Sequence, residues 1–174
     1  MAVLPVLVYP DKRLKIPSVP LEQNEPGWEQ MLSGLIDTFE RAPGCVGISA
    51  PQVGWHKRVI VVDASRSSRV SPDSVNHGMM VCINPEIVCT SGKLRFREGC
   101  LSVPDFTGNV YRSKKITVRY LDRSFNEQVI ETQGFEAVIF QHEIDHLDGI
   151  LFLDRVRSLK RDVFKRQTYL PPSE

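Results

Sequence analysis

The sequence has few of the features that mark membrane, secreted or nucleic-acid-binding proteins. Among its 174 residues, 22 are lysine or arginine and 21 are aspartate or glutamate, so the formal net charge is only +1. This balance gives no global reason to expect a DNA or membrane partner. No apolar run approaches the ~20 residues of a membrane span. The apolar stretch 1–9 is short and lacks a basic leader, so we expect no signal peptide.

Cysteine is also sparse. Cys45, Cys82, Cys89 and Cys100 are the only four, and none forms a Cys-x-x-Cys pair. Without a secretion signal, we expect a reducing compartment and free thiols rather than disulfides. One of these thiols is then available as a metal ligand.

The chain shows neither an internal repeat nor a domain linker. Its length suits one domain with a substantial core, so we predict a single domain over residues 1–174. Within it, residues 155–174 are expected to form a basic C-terminal helix and tail.

The stretch 141–147 carries the most informative motif, because His142, Glu143 and His146 read His-Glu-x-x-His. Apolar residues on two faces predict a buried helix here, preceded by Gly134 and followed by Gly149. On such a helix the two histidines project from one face and can share a metal ion, while the glutamate can reach a metal-bound water. The alternative is a core helix whose histidines are satisfied by hydrogen bonds. A catalytic metal usually has three protein ligands, so the third must come from elsewhere.

The remaining periodicity predicts an α+β fold, with antiparallel sheets packed around the buried helix. The clearest amphipathic helix starts near Pro26, stops at Pro43, and has apolar residues at Trp28, Met31, Leu32, Leu35, Ile36 and Phe39. Strand patterns cover 58–63, 79–84, 86–89, 93–97, 115–121 and 128–133, and the last two can form a hairpin. A final helix is expected over 154–169; its basic residues form a solvated face or a surface for an anionic partner such as ribosomal RNA.

A third ligand is offered by Glu98-Gly99-Cys100-Leu101-Ser102. A lone cysteine such as Cys100 is usually a buried, inert thiol, but a thiolate here would complete a three-ligand site. This motif, the stretch 45–52 and the stretch 141–147 occur in the order found in one family. With them, the chain resembles the peptide deformylases over about residues 5–155.

The resemblance implies a metal-dependent hydrolase. Such an enzyme removes the N-formyl group from the N-terminal formylmethionine of newly made proteins and releases formate. The implied metal ligands are Cys100, His142 and His146. Glu143 is implied as the general acid and base.

Further roles follow from the same resemblance. The side-chain amide of Gln52 and the backbone N–H of Leu101 are expected to polarise the formyl oxygen. Val46 and Gly47 are expected to hold the peptide backbone of the substrate. Val138 and Ile139 are expected to contact its methionine side chain.

The resemblance also implies the cofactor and partners. One divalent metal ion is expected, with Fe²⁺ as the native ion and zinc, nickel or cobalt able to replace it; the Cys-His-His set itself also suits zinc. The implied substrates are N-formylmethionyl peptides and nascent chains, with ribosome contact through the basic C-terminal helix. The expected location is a bacterial cytoplasm, or an organelle for a mature organellar form.

Three positions depart from the family pattern. Cys45 stands at the first glycine of Gly-x-Gly, Ser49 at the first alanine that follows, and Thr107 where relatives often have arginine. Three other interpretations stay open at this point. One is a peptidase whose His-Glu-x-x-His metal takes oxygen or nitrogen as third ligand, and another is a protein with a structural or redox-sensing metal site that has Cys45 beside it. The third, compatible with the enzyme, is a binding protein that uses the basic C-terminal helix on the ribosome.

Overall fold

The computed structural model describes residues 3–68 and 74–166. In this part of the chain the α-helices are α1 (Trp28–Arg41), α2 (Phe135–Leu147), α3 (Phe152–Arg155) and α4 (Leu159–Asp162). The strands are β1 (Gly47–Ser49), β2 (Val59–Val62), β3 (Met80–Ser91), β4 (Leu94–Cys100), β5 (Val103–Arg112), β6 (Lys115–Leu121), β7 (Glu127–Gln133) and β8 (Val163–Lys165). Short 3-10 helices cover Lys12–Lys15, Ala50–Val53 and Ala64–Arg66. No helix here is long and apolar enough to cross a membrane.

Within residues 3–68 and 74–166, the eight named strands pair only in antiparallel fashion and form two sheets. One has the order β1-β2-β3-β6-β7 and the other the order β4-β5-β8. Strands β1 and β4 therefore each lie at the edge of a sheet, where their unpaired backbone groups are open to another chain.

Helix α1 follows Gly27, whose positive φ of 78° is easy for glycine. Its buried apolar face, which includes Leu32, Leu35 and Phe39, packs in one cluster with Ile48, Val59 and Val61 of the five-stranded sheet. This face is the stripe that the helical spacing predicts.

Helix α2 has no solvent face, since every residue from Glu136 to Leu147 is buried. Its apolar side chains pack in a second cluster with residues of β2 and β6, including Ile60, Ile116 and Val118. The helix ends at Leu147, and Gly149 follows with a φ of 72°. A side chain there would also collide with the backbone of Lys15, 2.5 Å from its Cβ position.

Two of the predicted strands are in fact one. The patterns at 79–84 and 86–89 join as β3, because a register shift between Ile83 and Glu86 accommodates Pro85. Asn84 adopts a φ of 50° at this point, and its side-chain amide exchanges two hydrogen bonds with the backbone of Leu21. Strand β5, interrupted in sequence by Pro104 and Gly108, was not predicted.

The predicted C-terminal helix over 154–169 is wrong for residues up to 166; residues 167–169 lie outside the described part. The chain instead forms α3, an extended residue at Val156, α4 and then β8. Strand β8 pairs with β5 from Phe106 to Gly108. Phe152 and Val156 pack directly on Gly108, which has no side chain to block them. The apolar spacing of this segment is helical, but backbone pairing with the free edge of β5 and the packing on Gly108 favour short elements and a strand instead.

Candidate active site

The end of β4 and the middle of α2 bring three potential metal ligands together. Sγ of Cys100 lies 3.2 Å from Nε2 of His146, and these atoms lie within 4.8 Å of a ring nitrogen of His142. All three side chains are buried. One thiolate and two imidazoles are a donor set that holds divalent transition metals, at ligand distances of about 2.0–2.3 Å for zinc. The residues therefore fit a metal ion.

Glu98 fixes the orientation of His142. Its carboxylate accepts a hydrogen bond from Nδ1 of His142 at 2.7 Å. Burial opposes ionisation of Glu98, but hydrogen bonds from Arg112 and His142 outweigh it and lower the pKa of the carboxyl to about 2. An ionised carboxylate only accepts hydrogen bonds, so Nδ1 carries the proton and Nε2 keeps its lone pair for a metal.

Arg112 connects this pair to a buried charge network. Its guanidinium donates to both oxygens of Glu98, at 2.7 and 2.9 Å, and to Asp145 on α2. Asp145 also accepts hydrogen bonds from Arg155 of α3. In the sequence, Glu98 is only one member of the motif at 98–102, and nothing marks Arg112, because its partners lie 14 and 33 residues away. Asp145 did carry a signal, as a carboxylate inside the histidine motif of a helix that is predicted to be buried.

The two histidines differ in proton affinity. For His142, burial favours the neutral ring, but hydrogen bonds to Cys100 and Glu98 outweigh burial and raise its pKa well above the usual value. A metal ion would replace that proton. For His146, burial and the neighbouring His142 hold the pKa well below the usual value, so its ring is neutral.

Glu143 lies beside the ligand cluster with one oxygen free. It is 4% exposed, and Oε2 has no hydrogen-bond partner in the described residues. Burial raises its pKa to about 7, against the lowering effects of His142 and Ser49. Gly47 makes room for it, because a Cβ there would lie 2.7 Å from Oε1 of Glu143 and 2.8 Å from Ile139.

Gln52 is held with its amide N–H₂ toward the cluster. Its Oε1 accepts hydrogen bonds from the backbone N–H and the hydroxyl of Ser49, both at 2.9 Å. Nε2 then donates to the hydroxyl of Ser102 at 3.1 Å and points to Sγ of Cys100 at 3.5 Å. The 3-10 helix Ala50–Val53 sets this geometry, with Ser49 as its N-cap.

A cavity of about 450 Å³ opens between the edge strands β1 and β4. Of the ten residues predicted for the site, nine line it: Val46, Gly47, Gln52, Cys100, Leu101, Val138, Ile139, His142 and Glu143. The tenth, His146, lies behind Cys100. The apolar part of the wall also contains Phe96 and Phe135, whose ring centroids are 5.3 Å apart.

Comparison with known proteins gives a consistent result. The profile of the family described as polypeptide deformylase matches residues 3–162. The chain belongs to the peptide deformylase family. Peptide deformylases are metalloenzymes that remove the N-formyl group from newly made proteins, and the activity of this chain is hydrolysis of the formylmethionyl amide.

Individual peptide deformylases align with almost the whole chain. "Peptide deformylase 2" of Xanthomonas campestris pv. campestris is 42% identical over 170 residues, which cover 96% of this chain and 95% of the relative. The peptide deformylase of Thermodesulfovibrio yellowstonii is 41% identical over 167 residues, covering 96% and 97%.

Solved peptide deformylases share the fold, with its antiparallel sheets and few helices. The Ehrlichia chaffeensis enzyme in complex with actinonin has a TM-score of 0.82 and 37% identity, with 92% of each chain covered. A class I type b enzyme from Acinetobacter baumannii, bound to Met-Ala-Ser, has a TM-score of 0.78 and 39% identity, covering 89% of this chain and 99% of that one.

The departures from the family pattern lie at the cavity. Cys45 and Thr107 line it, and Ser49 supports Gln52 from behind. The Cys45 thiol is 3.1 Å from the carbonyl oxygen of Gly47, and burial together with nearby Glu143 raises its pKa to about 12. A thiol that stays protonated is a poor nucleophile, which weighs against a redox-sensing role for Cys45.

Proposed function

We propose that this chain performs deformylation with one divalent metal ion held by Cys100, His142 and His146, and with Glu143 as general acid and base. The observation that carries the proposal is the ligand cluster itself: three ligand atoms within 4.8 Å of one another, at the wall of a cavity, next to a buried carboxylate with a free oxygen. A thiolate and two imidazoles leave a further coordination position open, as catalytic sites require.

When bound, the ion supplies Lewis acidity toward the formyl carbonyl and toward a water molecule. Glu143 takes a proton from the attacking water and later gives it to the departing methionine amine. The Gln52 amide and the Leu101 backbone N–H donate hydrogen bonds to the carbonyl oxygen as negative charge develops there. Such a preorganised donor typically contributes about 3 kcal/mol to transition-state stabilisation.

We propose that the peptide lies between the two sheet edges. Val46 and Gly47 offer backbone groups at the start of β1, in the manner of an added strand. The methionine side chain fits the apolar wall formed by Phe96, Phe135, Val138 and Ile139. The Met-Ala-Ser bound by the Acinetobacter baumannii relative begins with the same residue as the proposed substrates.

We further propose Fe²⁺ as the native ion, with zinc, nickel or cobalt as possible replacements. A single soft thiolate with two imidazoles suits each of these ions. An Fe²⁺–thiolate site is open to oxidation, and Cys100 is then the residue that would be damaged.

The setting is also part of the proposal. The chain is taken as a single peptide-deformylase-like catalytic domain, supported by the family match over 3–162. The relatives reported above are bacterial, which supports a bacterial cytoplasm over a mature organellar form. Ribosome contact stays a prediction. Because the expected long helix is absent from the described residues, this contact would use exposed basic residues of the short C-terminal elements, such as Lys160 and Arg161 of α4.

The decisive test is formate release from formyl-Met-Ala-Ser by protein prepared without oxygen and supplied with Fe²⁺. Glu143→Gln should retain its metal and lose about 10²- to 10⁴-fold in turnover, since only the proton transfer is removed. The matched control is the variant Glu131→Gln, which changes an exposed glutamate of β7 and should hydrolyse the substrate at the normal rate.

Metal content tests the ligands separately. Cys100→Ala should lose metal on dialysis, whereas Cys89→Ala, at an exposed cysteine of β3, should keep it. Unchanged metal content in Cys100→Ala would remove this residue from the ligand set. Full metal occupancy without formate release would instead favour a structural metal site. Comparing iron- and zinc-loaded protein, with and without oxygen, shows which of these two ions supports faster turnover and whether the iron form is oxygen-sensitive.

A further inference from the structure

Two arginines mark the outer rim of the active-site cavity. Arg97 and Arg166 both line it, and both are exposed. On β4, the Arg97 side chain points to the opposite face from that of Phe96, because side chains alternate along a strand. Arg97 therefore faces away from the apolar wall, and the Arg166 guanidinium lies against Gly99 of the same strand.

The fold builds this rim from two separate elements. Strand β8 pairs with β5 and places Arg166 next to it, where its backbone N–H donates to the carbonyl of Asp105 at 2.8 Å. The Arg166 guanidinium lies directly on Gly99 and occupies the space that a side chain there would need. Arg97 stacks on the ring of Phe164, with Cζ 3.9 Å from its centroid, and Nε donates to the hydroxyl of Thr107 at 3.0 Å.

These two positive charges have no carboxylate partner within 3–68 and 74–166. The carboxylates that line the same cavity are Glu98, which is taken by Arg112 and His142, and Glu143, which is buried. A fork of guanidinium donors at an exposed rim is suited to bind a carboxylate.

Resting on the proposed function, we propose that Arg97 and Arg166 bind a peptide carboxylate and make the enzyme prefer formyl peptides with an acidic side chain at one of the two residues after formylmethionine. Gly99 immediately precedes the ligand Cys100, and one strand residue spans about 3.3 Å. A peptide extended along the free edge of β4 from the formyl group therefore reaches the two guanidinium groups within a few residues.

The test compares kcat/KM for C-terminally amidated formyl-Met tripeptides carrying Asp or its neutral isostere Asn at the second or the third position. For one of the two positions, we expect Asp to exceed Asn by about fivefold at low salt, as for an exposed pair of opposite charges. The advantage should appear in KM rather than kcat, because the rim contacts ground and transition states alike. It should disappear at 1 M salt, where the screening length is about 3 Å.

Variants assign the preference to the rim. The double change Arg97→Gln and Arg166→Gln should make Asp and Asn equivalent, while Arg97→Lys, which keeps the charge, should retain part of the preference. Arg157→Gln is the matched control, because this exposed arginine stacks on Tyr111 away from the cavity. A preference that survives in the double variant, or equal values for Asp and Asn at both positions in the wild type, contradicts the proposal.

Two further arms separate related explanations. The first arm compares formyl-Met-Ala-Ser that has a free C-terminal carboxyl group with the same peptide as an amide. If kcat/KM differs only between these two peptides, and not between Asp and Asn peptides, the rim recognises the peptide's C-terminus and not an acidic side chain, which overturns the proposal. Binding of the same peptides to metal-loaded Glu143→Gln protein reports on the rim without turnover. If the metal-loaded wild-type protein shows no turnover while the Glu143→Gln protein still binds acidic peptides preferentially, the proposed catalysis is contradicted and the assignment of the rim stands.

Discussion

The two long helices are buried in different ways. Helix α1 buries one apolar stripe and leaves polar residues such as Glu29 and Ser33 in solvent. Helix α2 buries every residue after its first, including six that are polar or charged: Glu136, Gln141, His142, Glu143, Asp145 and His146. Buried polar groups are tolerable only when they find hydrogen-bond partners, so α2 depends on its surroundings far more than α1 does.

Several of those partners come from distant parts of the chain. Glu136 accepts hydrogen bonds from nearby Thr132 and from distant His77, and Gln141 exchanges two with the backbone of Ser113. Within the described residues, the two fully buried side-chain atoms of α2 without a hydrogen-bond partner are Oε2 of Glu143 and Nδ1 of His146. Glu143 is the proposed general acid and base, and His146 is a proposed metal ligand. The unpaired buried atoms of the helix therefore lie on residues of the proposed site.

Among substitutions near α2, we expect Arg112→Met to reduce stability the most. Within the described part of the chain, removing this guanidinium leaves buried Glu98 with only His142 as partner and Asp145 with only Arg155, which should cost about 3–5 kcal/mol of unfolding free energy. Metal affinity should fall as well, because Glu98 then holds His142 less firmly. Urea unfolding measures the first effect and metal titration the second. Arg119→Met, at an exposed pair with Glu86, is the control and should leave the unfolding midpoint unchanged. An equally stable Arg112 variant would contradict this account of the network.

A core substitution in α1 should lower the stability of the protein without changing its catalytic activity. Leu35→Ala removes a fully buried side chain and should cost about 2–5 kcal/mol, as a core cavity does. Turnover per folded molecule should not change, since the residue packs away from the ligand cluster. Thermal unfolding and active-site-normalised kinetics check both statements. Val129→Ala, at a largely exposed position of β7, should have little effect on either quantity.

A single polar partner of α2 gives a smaller effect. Thr132→Val keeps the side-chain shape but removes the hydroxyl that donates to Glu136 at 2.7 Å, so we expect a loss of about 1–3 kcal/mol. Thr90→Val on the exposed end of β3 provides the comparison and should be neutral. If both valine variants unfolded at the same urea concentration, the buried carboxylate would not need this donor.

The smallest expected effect is a gain, on the solvent face of α1. Ser33→Ala replaces an exposed serine in the helix interior with the best helix former, which should stabilise the protein by about 0.5 kcal/mol. Denaturant unfolding with replicate midpoints resolves a change of this size. A loss of stability would show that Ser33 has a tertiary role.

Local pattern accounted for much of the fold. The structure has long helices at two of the three places where apolar spacing predicts them, and the β6–β7 hairpin lies within the predicted stretch. The C-terminal segment also had helical spacing, yet it forms β8, because the open edge of β5 offered backbone partners that the helix would have forgone. The spacing of apolar residues predicts a helix correctly when the segment's own side chains decide its structure. The prediction fails when a neighbouring strand offers backbone hydrogen bonds that favour an extended conformation.

At the site, the types of the proposed ligands and their local spacing can be read from the sequence. His142 and His146 are one helical turn apart, and that spacing alone puts both on one face. The packing of distant segments brings the other groups to them: Cys100 lies 46 residues before His146, and Arg112 reaches both Glu98 and Asp145. It also decided that position 47 must lack a side chain beside Glu143. Contacts within a helical turn follow from backbone geometry, whereas contacts between distant residues depend on how the sheets and helices pack together.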